Sequence, residues 1–211
     1  ISAASRRLDD RVFDQKIDDK LILDVKKYLS NIDINKINKE VKSAAIIAIT
    51  VIKHSLALLE SDIAGAEKFS TSVSELGLEA ESLMHVLRSK EQIYRLKNNE
   101  VSIQKTIEFI DHAVSLQTNQ IYSDSIRLNL VETLIPIDLK LANEQFKLLR
   151  KPDYSISSDT YYRYAARWWL CKSYFYPSEK LTCLRESISI HKTAGCSRAA
   201  KTLESKLHSL I

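Results

Sequence analysis

Gln104-Lys-Thr-Ile-Glu-Phe-Ile-Asp-His-Ala-Val-Ser-Leu116 is the stretch on which the reading of this chain turns. Thr106 and Ile110 lie four positions apart, so in a helix they share one face, a small side chain followed by a bulky one. The pair recurs as Gly65 with Phe69 and Ala142 with Phe146, while Cys183 with Ser187 keeps only the small member. The intervals from Gly65 to Thr106, Ala142 and Cys183 are 41, 36 and 41 residues. A small residue lets a neighbouring helix cross closely, and the large one fills the gap beside it. Recurrence at this period is the signature of stacked helical hairpins.

The sequence around these anchors is helical almost throughout. Three glycines and three prolines in 211 residues leave too few turns for a sandwich, barrel or propeller. Gly65, Gly77 and Gly195 are too far apart to form a phosphate loop or a dinucleotide fingerprint. Breakers divide the periodic pattern into ten helices: Asp9–Ser30, Lys39–Leu59, one capped by Ser61 and ended by Gly77, Glu79–Lys97 and Glu100–Leu116. Ile121–Ile135 follows, then a helix from Pro136 and Asp138 to about Arg150, Thr160–Tyr176 with Ser157, Ser158 and Asp159 as cap candidates, Glu179–Thr193 and Arg198–Leu210. Short connections make successive helices antiparallel neighbours. The expected organisation is an N-terminal helix and linker at residues 1–38, followed by a helical-hairpin domain at 39–211 closed by a capping helix.

On Gln104–Leu116, and on Ala142-x3-Phe146 with Pro152 following, the chain resembles the tetratricopeptide-repeat family, whose unit is a 34-residue helical hairpin with Ala-x3-Phe in its second helix. The resemblance spans roughly Ala45 to Thr193. It departs from the family in lacking the Trp-x2-Leu-Gly-x2-Tyr signature of first helices and in its longer period. A generic solenoid of helical hairpins, or a compact bundle, fits the same pattern. The resemblance implies an all-α, right-handed stack of antiparallel hairpins that binds an extended peptide on its concave face through first-helix side chains. Carried over from the anchors, it turns Thr50, His54, Arg88, Glu91, Arg95, Arg127, Trp168 and Lys172 toward that groove. Four of these are cations, and arginine grips carboxylates at two points, so the implied ligand is an acidic segment or a C-terminal carboxylate. The candidate ligand-binding residues are therefore Arg88, Arg95, Arg127, Trp168 and Lys172.

Charge and aromatic residues are unevenly placed. The formal net charge is +4, and residues 151–211 carry 10 basic and 5 acidic side chains. Nine of the sixteen Phe, Tyr and Trp residues fall between Tyr154 and Tyr176. On one helix Tyr161, Tyr162, Tyr164, Trp168, Trp169, Phe175 and Tyr176 fill about 160°, with Lys172 inside the arc and Arg163 and Arg167 across from it. The plainer reading is a thick core helix with tyrosine hydroxyls at the surface. The functional reading takes Trp168, Lys172 and Phe175 as a stripe for an acidic peptide or a stacked base. A basic, aromatic last third also keeps nucleic-acid binding open as an alternative function.

Little else points to chemistry. His54, His85, His112, His191 and His208 are scattered over separate helices without metal-ligand spacing. Ser102-x2-Lys105 lacks the partner motifs of a serine nucleophile. Cys183 and Cys196 flank His191, but Gly195 interrupts the helix between them. No catalytic residue, metal or cofactor is expected. Three cysteines without Cys-x2-Cys spacing fit reduced, buried thiols in a cytoplasmic protein. The longest apolar run, Ala44–Ile52, rises only ~14 Å as helix, short of a membrane span, so no membrane association is expected. The chain begins at Ile1, as a processed product or a fragment does. The function that best fits is a non-enzymatic interaction module, a scaffold, adaptor or regulatory domain. Asp10, Asp14, Asp18 and Asp24 give its first helix an acidic face suited to lying against a basic groove.

Overall fold

Ten α-helices and two 3-10 turns make up residues 19–74, 78–153 and 159–210, which are the residues described by the computed structural model. The helices are α1 (Asp19–Ser30), α2 (Lys39–Leu59), α3 (Ile63–Ser74), α4 (Leu78–Lys97), α5 (Ile103–Ser115), α6 (Gln120–Leu134), α7 (Leu139–Phe146), α8 (Asp159–Phe175), α9 (Lys180–Thr193) and α10 (Ser197–His208). Among the described residues there is no strand, so the protein is all-α with the expected number of helices.

The boundaries follow local chemistry. Asn38, Asn119 and Asp138 each begin a helix by accepting an early backbone N–H on the side-chain oxygen. Gly195 follows α9 with φ +71°, the left-handed conformation that glycine adopts without steric cost. Several boundaries differ from the sequence reading, two of them for reasons visible in the hydrogen bonding. The cap of α3 is Asp62, whose carboxylate accepts from the Gly65 N–H at 2.9 Å, whereas Ser61 is the turn residue at φ 61°. Helix α7 ends at Phe146, about a turn before Arg150, and the Arg150 carbonyl instead accepts from the Tyr164 hydroxyl at 2.7 Å. Gly77, Ser157, Ser158 and the first half of the expected Asp9–Ser30 helix, with Asp10, Asp14 and Asp18, lie outside the described residues.

The chain divides into two compact units between Ile103 and Gln104. In the first, α2 packs against α3 and α4. Helix α1 lays Val25 against Ile52 and Leu56, with Ile22, Leu29 and Leu59 around them. Its other face, including Asp24, is exposed. A second cluster joins Val73 of α3 and Leu87 of α4 to Val51 and Leu83. Helix α2 corrects the membrane arithmetic made on the nine-residue run. Over its full 21 residues it is long and apolar enough to cross a membrane by length and composition. Its C-terminal half supplies Ile49, Ile52, His54, Leu56 and Ala57 to the interior of this unit.

The second unit is organised by α8, which packs against α6, α7 and α9. Toward α6 and α7 it contributes Tyr161, Tyr164, Trp168 and Cys171 to a core with Leu128, Val131, Phe146 and Leu149. Toward α9 it presents Ala165 and Ala166 beside Ile190, and the Ser187 hydroxyl donates to the Ala166 carbonyl at 2.8 Å. Small residues at 165 and 166 are what let α9 approach this closely. Leu170, Leu184, Ile188, Ala199 and Leu203 extend the core to α10. Of the repeat anchors, Thr106, Ala142 and Cys183 are fully buried. Gly65 is small for a local reason: a Cβ there would lie 2.1 Å from the Asp62 carboxylate that caps α3.

Candidate functional site

The aromatic arc of α8 divides into an inner and an outer part. Trp168 is 7% exposed, with its ring 5.1 Å from that of Phe146, and the Phe175 ring lies 5.0 Å from the Phe146 ring. Trp168 is therefore a core residue and not a groove residue, because Phe146 of α7 draws that stripe inward. Arg167, expected opposite the arc, faces α6 instead. Its guanidinium forks onto Glu132 at 2.7 and 2.6 Å and reaches Asn129 at 2.6 Å, which fixes α8 against α6.

The outer part surrounds Lys172. Its ammonium sits 5.1 Å from the Trp169 ring centroid and 5.5 Å from that of Tyr176. These residues are three before and four after Lys172, so both rings meet it on one helical face. The sequence reading chose Trp168 and Phe175, the neighbours on the adjoining stripe. The missed signal was this alternative pair of offsets, 169 and 176. Glu179, also missed, binds the ammonium at 2.6 Å. It arrives there because α8 ends at Phe175 and Pro177 opens a 3-10 turn, Pro177–Glu179, closed by the Glu179 N–H on the Tyr176 carbonyl at 3.0 Å.

The charges also suit their positions. Lys172 occupies the last turn of α8 and Glu179 the N-cap of α9, where the helix dipoles favour a cation and an anion respectively. The hydrogen bond that Lys172 donates to Glu179 raises its pKa above the ordinary lysine value, so it is a permanent cation at neutral pH. The carboxylate is half exposed, and Tyr176 and Leu181 nearby in sequence are 36% and 40% exposed. The corner therefore offers a charge and two aromatic rings, with exposed apolar surface on Tyr176 and, two residues after Glu179, on Leu181.

The remaining candidates are distributed over the two units. In the first, Arg88 is exposed and has no ion-pair partner among the described residues. Arg95 is paired with Glu67 and lies 3.8 Å from Glu100. Thr50 turns its hydroxyl back onto the Ile46 carbonyl at 2.9 Å. His54 and Glu91 line no groove: both are buried, with His54 Nε2 2.9 Å from Glu91 Oε1, and they join α2 to α4. In the second unit, Arg127 bonds Asp111 at 2.8 Å and Gln145 at 2.6 Å, with its side chain 11% exposed. It ties α5, α6 and α7 together. Three of the four expected cations thus already hold carboxylates of their own chain.

Burial pushes the Cys171 and Cys183 thiols up, away from the nucleophilic thiolate. Among the described residues no group of three or more His, Cys, Asp or Glu side chains could hold a metal ion. Comparison of the chain with protein-family models, curated proteins and solved structures finds no match.

Proposed function

We propose that this chain is a non-enzymatic protein–protein interaction module, a scaffold, adaptor or regulatory domain, that takes a carboxylate-bearing segment of an acidic partner at the Lys172 corner. One observation carries the reading: the Lys172 ammonium, which lies against two aromatic rings, already holds a carboxylate, that of Glu179, at 2.6 Å. A side chain of the same chemistry on a partner would meet the same charge. An apolar residue beside it would find the exposed parts of Tyr176 and Leu181. The hairpins around it belong, in this reading, to a degenerate tetratricopeptide-like solenoid. The three free, buried cysteines suit a reducing, cytoplasmic setting.

A peptide array tests the reading. Acidic peptides and their Gln/Asn counterparts are probed with the full chain and with Lys172→Glu. Selective capture of acidic peptides, lost in Lys172→Glu, is the expected result. Equal capture by both proteins would remove Lys172 from the site. The nucleic-acid alternative loses two of its stacking surfaces with Tyr164 and Trp168 in the core. Salt-steep binding of an oligonucleotide of mixed sequence, with no acidic-peptide capture, would restore it.

A further inference from the structure

Resting on the proposed peptide-binding reading, we infer that Glu179 is a built-in competitor for the Lys172 site, an intramolecular latch that an acidic partner segment displaces. Glu179 occupies the position a ligand carboxylate would take. Lys172 keeps 18% of its side-chain surface exposed while Glu179 keeps 49% of its own, so the carboxylate is the more accessible member of the pair.

The latch is hinged at a side chain. Pro177 restricts the turn, and the Tyr176 and Pro177 carbonyls are engaged by the N–H groups of Glu179 and Lys180. Rotation of the Glu179 side chain is then sufficient to open the site, with no backbone rearrangement. The released carboxylate keeps favourable surroundings, because it belongs to the N-cap of α9 and that helix start has no side-chain cap hydrogen bond. Opening leaves Lys172 against Trp169 on α8 and Tyr176 just past its end, whose backbone N–H still bonds the Lys172 carbonyl at 3.1 Å. The ligand this selects is a peptide carboxylate next to an apolar side chain, the former replacing Glu179 and the latter lying on Tyr176 and Leu181. An exposed ion pair is weak, so the latch is worth ~2- to 5-fold in affinity. That is enough to reject a poor ligand and too little to exclude a good one.

The test uses the full chain and a short fluorescein-labelled peptide of alternating glutamate and leucine, with a glutamine–leucine peptide as reference, followed by anisotropy. Glu179→Gln is expected to tighten the glutamate peptide ~2- to 5-fold. Lys172→Met, alone or with Glu179→Gln, should reduce it to the level of the glutamine peptide. A ligand-free arm measures acetylation of Lys172 by mass spectrometry, which should rise in Glu179→Gln relative to the other lysines. Unchanged affinity and acetylation in Glu179→Gln, with binding still lost in Lys172→Met, would overturn the latch and leave the site standing. Absence of glutamate-dependent binding in both wild type and Glu179→Gln would overturn both.

Discussion

Replacing Glu91 by leucine should destabilise the first unit more than replacing His54 and Glu91 together. His54 is fully buried, and Nε2 donates to Glu91 while Nδ1 is buried without a hydrogen-bond partner among the described residues. A neutral imidazole protonated at Nε2 fits this arrangement, because a second proton would place an N–H at Nδ1 with nothing to receive it. Desolvation accordingly lowers the His54 pKa below its ordinary value, against the opposing effect of the hydrogen bond His54 makes to Glu91. Glu91→Leu strands the imidazole N–H in an apolar interior, at a cost of ~1–3 kcal/mol. In His54→Leu/Glu91→Leu nothing is stranded, and the double variant should lie within ~1 kcal/mol of wild type.

The same pair sets a pH dependence whose sign is fixed. The folded-state pKa of His54 is below the unfolded value, so protons bind preferentially to the unfolded chain on acidification. Stability is fully present above about pH 6.5 and falls as pH drops toward the folded pKa, by at most ~1.4 kcal/mol per pH unit. Both tryptophans lie in the second unit. Amide hydrogen exchange across Ile49–Ala57, measured at several pH values in mild urea, is therefore the direct readout. Exchange in Glu91→Leu no faster than in the double variant, or a double variant that keeps the wild-type loss between pH 6.5 and pH 5, would refute the account of a neutral, donor-only histidine.

Trp168→Ala should cost ~3–5 kcal/mol in the second unit, since it removes a ring packed between Phe146 and Trp169. Trp168→Phe should cost much less, because the indole N–H is buried without a hydrogen-bond partner and nothing polar is lost; thermal melts by circular dichroism compare the two. Arg167→Met should cost ~3 kcal/mol by leaving Glu132 nearly buried and unpaired, and Arg167→Met/Glu132→Leu should recover most of it in urea denaturation. Gly65→Ala should lower stability by ~1 kcal/mol, because the added Cβ displaces the capping Asp62 carboxylate. In an Asp62→Ala background the same substitution should change sign and stabilise, by the ~1 kcal/mol that alanine gains over glycine in a helix.

The helices were legible because their ends are written locally. Asn38, Asn119, Asp138 and Gly195 each act within a few residues of themselves. The orientation of α8 was not legible, since seven aromatic residues spread over so wide an arc leave either half free to become the core. Phe146, more than twenty residues upstream, decides that Trp168 and Phe175 turn inward and leaves Trp169 and Tyr176 to Lys172. His54 and Glu91 were placed in a groove for the same reason: spacing gives a face, but only α4 arriving against α2 makes that face an interior. Glu179 reaches Lys172 through a turn whose geometry a helical period does not contain.

The pairing of cations with the chain's own carboxylates bears on what kind of acidic partner the protein could select. Arg127 is enclosed by Asp111 and Gln145, so a ligand taking it would leave a nearly buried carboxamide and an anion unpaired. That cost, ~1–3 kcal/mol for the buried carboxamide because the half-exposed Asp111 stays solvated, places Arg127 with the structural contacts of this unit. Arg95–Glu67 and Lys172–Glu179 stand at the surface, where exchanging one carboxylate for another changes little in charge or solvation. Binding there is a difference between two similar interactions. Charge distinguishes an acidic partner from an amide one, which cannot replace the internal carboxylate, but not one acidic partner from another. Discrimination must then come from what the internal carboxylate lacks, an apolar side chain laid against Tyr176 and Leu181. The acidic group would fix the position of the partner, and the neighbouring apolar group would supply the affinity.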